Sequence, residues 1–159
     1  MRSRPELTAD ETLIFKALEL ALRVHGGQKR KDGSPYILHP LRVMLRLEGE
    51  TAKMLALLHD VVEDSPVTIS EIREMGFPAE VVEALALLTH REGVPYEDYV
   101  RRIAENPLAV EVKLADLADN LDLSSMPIRT AKDRERVLKY RRAQNFLRRI
   151  GREEGPNLK

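Results

Sequence analysis

The chain has 159 residues, of which 33% are charged and 4% aromatic, with no tryptophan, which gives it the length of one domain and the balance of a helical soluble protein. Its 26 basic and 26 acidic residues cancel, which argues against broad attraction to nucleic acid, and the absence of cysteine excludes disulfides and thiolate chemistry. Apolar runs are too short to span a bilayer and Met1 to Thr12 is too charged for a secretory signal, so a cytoplasmic protein is expected.

Thr8-Ala9-Asp10-Glu11 has the form of a capping box, and Ile14, Leu18, Ala21, Leu22 and His25 follow at helical spacing until Gly26-Gly27 stops the helix. The next segment, Gln28 to Tyr36, reads as an irregular loop with exposed cations, because Gly33 and Pro35 oppose regular structure. His39-Pro40 opens a second helix, with proline suited to its first turn. Thr51 to Glu63 is apolar around most of its circumference and reads as the central buried helix. Further helices are expected at Ile69–Met75, Pro78–Thr89, Tyr96–Glu105, Pro107–Leu121 and Thr130–Ile150. These add up to an all-α single domain over residues 1–150, followed by a short flexible tail at 151–159.

On the central helix His59 and Asp60 interrupt an apolar surface, and a spacing of four places Glu63 above His59 and Asp64 above Asp60. A buried carboxylate is costly unless paired or metal-bound, and a divalent cation would offset Asp60 while accepting an imidazole nitrogen from His59. The plainer alternative is that Glu63 and Asp64 form a solvated helix terminus. Adjacent residues on one helix cannot close a coordination sphere, so further ligands must come from other elements. His39 is one candidate, or else a helix-start hydrogen-bonding residue. Asp116 is another, sharing a face with Asn120 in an apolar helix, although Lys113 offers Asp116 or Asp119 an internal partner. From Arg129 to Arg152 ten basic residues face two acids, either a solvated surface or a polyanion contact.

Three segments in order then carry a resemblance over most of the chain: Gly27-Gln28-Lys29-Arg30-Lys31-Asp32-Gly33-Ser34-Pro35-Tyr36-Ile37-Leu38-His39-Pro40, Leu58-His59-Asp60-Val61-Val62-Glu63-Asp64, and Lys113-Leu114-Ala115-Asp116. Together they resemble the hydrolase half of the RelA/SpoT proteins, which are HD-superfamily phosphohydrolases with a helical-bundle fold. With no synthetase or regulatory region after the helical domain, the chain resembles a free-standing small alarmone hydrolase. The resemblance implies one divalent metal ion, manganese, held by His39, His59, Asp60 and Asp116. It implies Glu63 and Asp64 as base or orienting groups beside the attacking water. Arg30, Lys31 and Asn120 match substrate contacts, and Arg136 and Tyr140 match residues that flank the substrate in animal small hydrolases.

Such chemistry suits these residue types. A divalent ion lowers the pKa of water enough to make a nucleophile at neutral pH, a nearby carboxylate receives the proton, and guanidinium groups fit phosphate oxygens. The implied reaction is hydrolysis of guanosine 3′-diphosphate 5′-diphosphate, or its 5′-triphosphate form, to pyrophosphate and GDP or GTP. The third motif departs from the long RelA/SpoT proteins: Asp116 is followed here by Leu117-Ala118-Asp119-Asn120, where they carry Arg-Leu-His-Asn. Leu117 suits core packing, but the lost cation and histidine leave the base preference open. An adenosine counterpart, the 2′-phosphate of NADPH and a nucleoside monophosphate therefore stand as alternative substrates. A non-catalytic nucleotide sensor or nucleic-acid-binding domain is the remaining alternative. His25 and His90 read as helix-end or structural residues.

Overall fold

The computed structural model describes residues 4–122 and 127–153, and among these it forms α-helices and no sheet, only an isolated bridge between Lys29 and Pro35. In order the helices are α1 (Ala9–His25), α2 (Leu38–Leu45), α3 (Glu50–Leu58), α4 (Ile69–Glu74), α5 (Ala79–Leu88), α6 (Tyr96–Ile103), α7 (Pro107–Asn120) and α8 (Ala131–Glu153). None is long and apolar enough to cross a membrane.

The start of α1 is set by the predicted box: the Thr8 hydroxyl accepts from the Glu11 amide at 3.1 Å and the Glu11 carboxylate from the Thr8 amide at 2.8 Å. Thr68 and Glu71 repeat the device at α4, and Asn106 caps α7 ahead of Pro107. Asp133 does the equivalent for α8, accepting from the amides of Arg129 and Thr130 while its own amide reaches the Thr130 hydroxyl. The helix then continues through Gly151 to Glu153, past the expected boundary at 150, while residues 154–159 of the expected tail lie outside the described residues.

Helix α3 is the axis of the bundle and packs against α1, α2, α5 and α7. Met54, Leu55, Ala56, Leu57 and Leu58 have no solvent-exposed surface. Each of the larger side chains contributes on the order of 1.5–3 kcal/mol by leaving water. Around them lie Val43 of α2, Val81 and Leu85 of α5, Ile103 of α6, Val112 and Leu117 of α7 and Leu147 of α8, all buried in one core. Leu117 is thus core packing, as expected.

The central helix is shorter than its apolar pattern predicts. It ends at Leu58, and the chain goes on in turns, with the Val61 amide on the Leu58 carbonyl and the Asp64 amide on the Asp60 carbonyl. The His59 imidazole takes the Ala56 carbonyl at 2.5 Å, occupying an acceptor at the helix end. Three carboxylates, at 60, 63 and 64, follow the carbonyl end of the helix, an unfavourable place for negative charge that a cation would relieve. The two polar columns expected of an unbroken helix are absent: His59 and Asp60 sit at its end, and Glu63 and Asp64 lie on the exposed turns beyond.

Candidate metal centre and substrate cavity

Two packed helices and one helix end bring the four proposed ligands together. His39 comes from the first turn of α2, Asp116 from the middle of α7, and His59 with Asp60 from the end of α3. The Asp116 Oδ1 atom lies 3.0 Å from His39 Nε2 and 3.5 Å from His59 Nε2, while Asp60 Oδ2 lies 3.0 Å from His59 Nε2 and 3.9 Å from His39 Nε2. The candidate ligand atoms of His39, His59 and Asp60 all fall within 4.8 Å of one another.

This set fits a divalent ion. Donors held at about 2.0–2.2 Å from one centre stand about 3.0 Å apart at right angles and about 3.5 Å apart at tetrahedral angles; three of the four distances fall in that range, and the 3.9 Å between His39 and Asp60 lies just beyond it. His59 Nε2 is buried without a hydrogen-bond partner while its Nδ1 is used on the Ala56 carbonyl, the arrangement of an imidazole whose free nitrogen serves as a ligand. The carbonyl end of α3 adds negative potential.

The electrostatics show how the cluster is balanced without an ion. Burial alone would lower the pKa of His59, but the Asp60 and Asp116 carboxylates outweigh it and raise the imidazole well above its ordinary value. His39 is raised likewise, burial being overcome by its bonds to Asp116 and Asp119. Burial would raise Asp60, yet His59 and the Tyr36 hydroxyl bring it down to about 2. Asp116 is held well below its usual value because Lys113, 2.9 Å away, outweighs burial. Lys113 is raised in turn by the same pair. The internal partner considered for Asp116 thus exists alongside the metal geometry, since Lys113 takes Oδ2 and leaves Oδ1 to the histidines and to Asn120 Nδ2 at 3.0 Å.

The cluster forms one end of a cavity of about 310 Å³. Glu63 stands at its rim and accepts from the His90 amide; its carboxyl is raised by burial against the cavity wall. Asp64 is raised by burial and by Asp60, and lies 3.6 Å from His25 Nδ1 at the end of α1. His25 also meets the Gln28 side chain at 2.9 Å, and His90 Nε2 meets the Val94 carbonyl at 2.7 Å, so neither enters the metal cluster. Tyr140 and Asn120 also line the cavity.

Part of the cavity's lining was not visible in the sequence. Tyr96 and Tyr99, three apart on α6, face it with Lys113, Lys139 and Tyr140. His90 stacks on Tyr99 with ring centres 4.5 Å apart, and Lys139 Nζ lies 4.7 Å from the Tyr96 ring centre. The Tyr96 hydroxyl is buried without a partner, and burial raises its pKa to about 12, so it stays protonated as a donor. The i, i+3 spacing of the two tyrosines was the available signal.

Arg30 departs from expectation. Gln28 to Tyr36 folds as a small hairpin, with the Arg30 amide on the Ser34 carbonyl at 2.9 Å and Gly33 supplying a positive φ of 85° at the tip. Lys31 projects into solvent, but the Arg30 guanidinium is 6% exposed and bonded to Asn120 Oδ1 at 2.7 Å and Asp119 Oδ2 at 3.4 Å. The buried Asp119 charge draws it inward. Arg136 is likewise paired, with Asp133 Oδ1 at 3.2 Å, which Lys31 Nζ approaches at 3.8 Å.

The chain that brings candidate metal ligands, ammonium groups and phenols to one cavity has known relatives. No family model matches the chain. Among curated proteins it is 40% identical to the guanosine-3′,5′-bis(diphosphate) 3′-pyrophosphohydrolase of Aquifex aeolicus, over 68% of this chain and 17% of that protein. It is 34% identical to a probable guanosine-3′,5′-bis(diphosphate) 3′-pyrophosphohydrolase of Synechocystis, over 76% of this chain and 18% of that protein. A solved structure described as a metazoan ortholog of SpoT that hydrolyses ppGpp superposes with a TM-score of 0.65 at 26% identity, covering 96% of this chain and 99% of that one. This chain is an HD-type, RelA/SpoT hydrolase-like domain. The domain spans less than a fifth of the length of these two curated relatives, but nearly all of the solved neighbour.

Proposed function

We propose that this RelA/SpoT hydrolase-like domain is a metal-dependent 3′-pyrophosphohydrolase acting on guanosine 3′-diphosphate 5′-diphosphate and its 5′-triphosphate form in the cytoplasm. The observation that carries the reading is the gathering of His39, His59 and Asp60 donor atoms within 4.8 Å of one another, with Asp116 Oδ1 beside both imidazoles, at a cavity that Lys113, Lys139 and Tyr96 also line. The names of the relatives from Aquifex and Synechocystis support the substrate.

The four donors would hold the ion, which we take to be manganese and which, when bound, acidifies water and polarises a phosphoryl oxygen. Glu63 or Asp64, each with its carboxyl raised by burial, would receive or orient the proton of the attacking water. The Tyr36 hydroxyl holds Asp60 in its rotamer. Lys113, Lys139 and the free Tyr96 hydroxyl neutralise and orient the 3′-pyrophosphate group, while Tyr140 and Asn120 bound the nucleoside. Arg30 supports Asn120 from behind, and Lys31 and Arg136 extend the cationic surface.

The test is incubation of manganese-loaded protein with a panel of nucleotides, measuring pyrophosphate and phosphate release. The panel holds the guanosine 3′-diphosphates, their adenosine counterparts, NADPH and nucleoside monophosphates. Manganese-dependent release of pyrophosphate from the guanosine compounds is expected. No turnover of any 3′-pyrophosphorylated nucleotide would sink the proposal, and preferential turnover of another member would move the substrate to that compound.

A further inference from the structure

His39 has a second nitrogen, and it meets a residue outside the proposed ligand set. Its Nδ1 lies 2.6 Å from Asp119 Oδ2, in a contact where His39 and Asp119 are each about 1% exposed. An ionised carboxylate only accepts, so Nδ1 must carry the proton, and in the neutral ring Nε2 is then left with a free lone pair for a metal ion. That Nε2 is the atom 3.0 Å from Asp116.

The carboxylate is itself held. Arg42 forks across it, with Nε 2.7 Å from Oδ1 and Nη2 3.1 Å from Oδ2, and Arg30 Nη1 approaches Oδ2 at 3.4 Å. His39 and Arg42 are three apart on α2, and Asp116 and Asp119 are three apart on α7, so each pair shares a helix face. The first member of each pair reaches the metal position and the second members clasp each other one turn away. Burying a carboxylate between two helices is a poor way to gain stability, since desolvation opposes the pairing. It is a good way to fix the orientation of a ring bonded to it.

We propose that Asp119 is a positioning residue for the metal site: clamped by Arg42 and Arg30, it sets the tautomer and ring orientation of His39 so that Nε2 faces the ion. This rests on the ligand role given to His39 under the proposed function.

The test is titration of Mn2+ into metal-stripped protein by calorimetry, beside thermal unfolding, for the natural chain, Asp119→Asn and Asp119→Leu. Both variants should bind Mn2+ about 10- to 100-fold more weakly. Excess metal should restore part of the lost turnover. Wild-type Mn2+ affinity in both variants, whatever happens to their Tm, overturns the inference, because a merely structural clasp would move only Tm. If either variant fails to fold, imidazole 15N NMR of the unmodified Zn2+-loaded protein decides. A proton on Nδ1 of His39 supports the inference and a proton on Nε2 overturns it. If the natural chain binds neither ion, the metal reading and this inference fall together; if it binds and the variants bind equally well, the positioning role alone falls.

Discussion

Lys113 Nζ lies 2.9 Å from Asp116 Oδ2, so a carboxylate assigned to the metal already has a buried cationic neighbour inside the same cavity. The lysine would thus compete with the ion for Asp116 while attracting the substrate phosphates. Lys113→Met should separate these effects: Mn2+ affinity should hold or tighten, while kcat/KM falls by roughly 10²-fold. Calorimetry and steady-state kinetics on one preparation would check this. A parallel fall in Mn2+ affinity would instead make Lys113 a support for Asp116.

Asp60 is positioned by Tyr36 and His59 but contributes little apolar packing, being half-buried at a helix end. Asp60→Asn should abolish turnover and weaken Mn2+ binding, with the circular dichroism of the helical bundle intact. Unchanged activity would remove Asp60 from the site.

Protons and metal compete for the same imidazoles. His39 and His59 are raised above the usual 6.5 in the ion-free cluster, so metal binding must displace protons. Calorimetric titrations in buffers of differing ionisation enthalpy should show net proton release, and Mn2+ affinity should fall as the pH is lowered. Stability of the metal-free protein follows the same groups. The raised histidines add stability that is full below 6.5 and is lost as pH rises through their folded values. Asp60 adds stability that is present above 3.8 and is lost as pH falls toward about 2. Glu63 and Asp64, being raised, favour the acidic side of that window. Metal-free Tm should therefore peak between about pH 4 and 6.5, and saturating Mn2+ should move the peak upward. A metal-free optimum above pH 8 would contradict this charge balance.

Arg136 contacts Asp133 and lies outside the metal cluster, with its Nε buried and unpartnered. Arg136→Met should raise KM by roughly tenfold, an arginine–phosphate contact being worth about 1.4 kcal/mol or more, and leave bound manganese unchanged. Loss of metal by elemental analysis would show that its role is misassigned.

The helix succession and core were legible because capping and periodicity are local signals. Thr8 and Glu11 formed the box their spacing announced, and Leu117 packed as its apolar stripe required. The end of α3 was not legible, since Val61 and Val62 continue the apolar pattern while the His59 contact with the Ala56 carbonyl and the backbone turns that follow end the helix. The candidate metal cluster was partly legible: His59-Asp60 stood out as polar in an apolar run, whereas His39 and Asp116 were proposed from the ordered motifs. The Asp119 clasp and the Tyr96–Tyr99 wall depend on which helices pack side by side, so the i, i+3 doublets that build them gained meaning only once α2 met α7 and α6 met the cavity.

Helix α3 leads into two of the proposed ligands from a rod whose residues 54–58 are fully buried in the apolar core. The scaffold beneath the cluster therefore holds its shape by forces unrelated to coordination, and an ion held there would be a replaceable part in a standing socket. Stripping and refilling that socket should be possible without refolding, so the output of such a domain would track the supply of ion more directly than the synthesis or degradation of the chain.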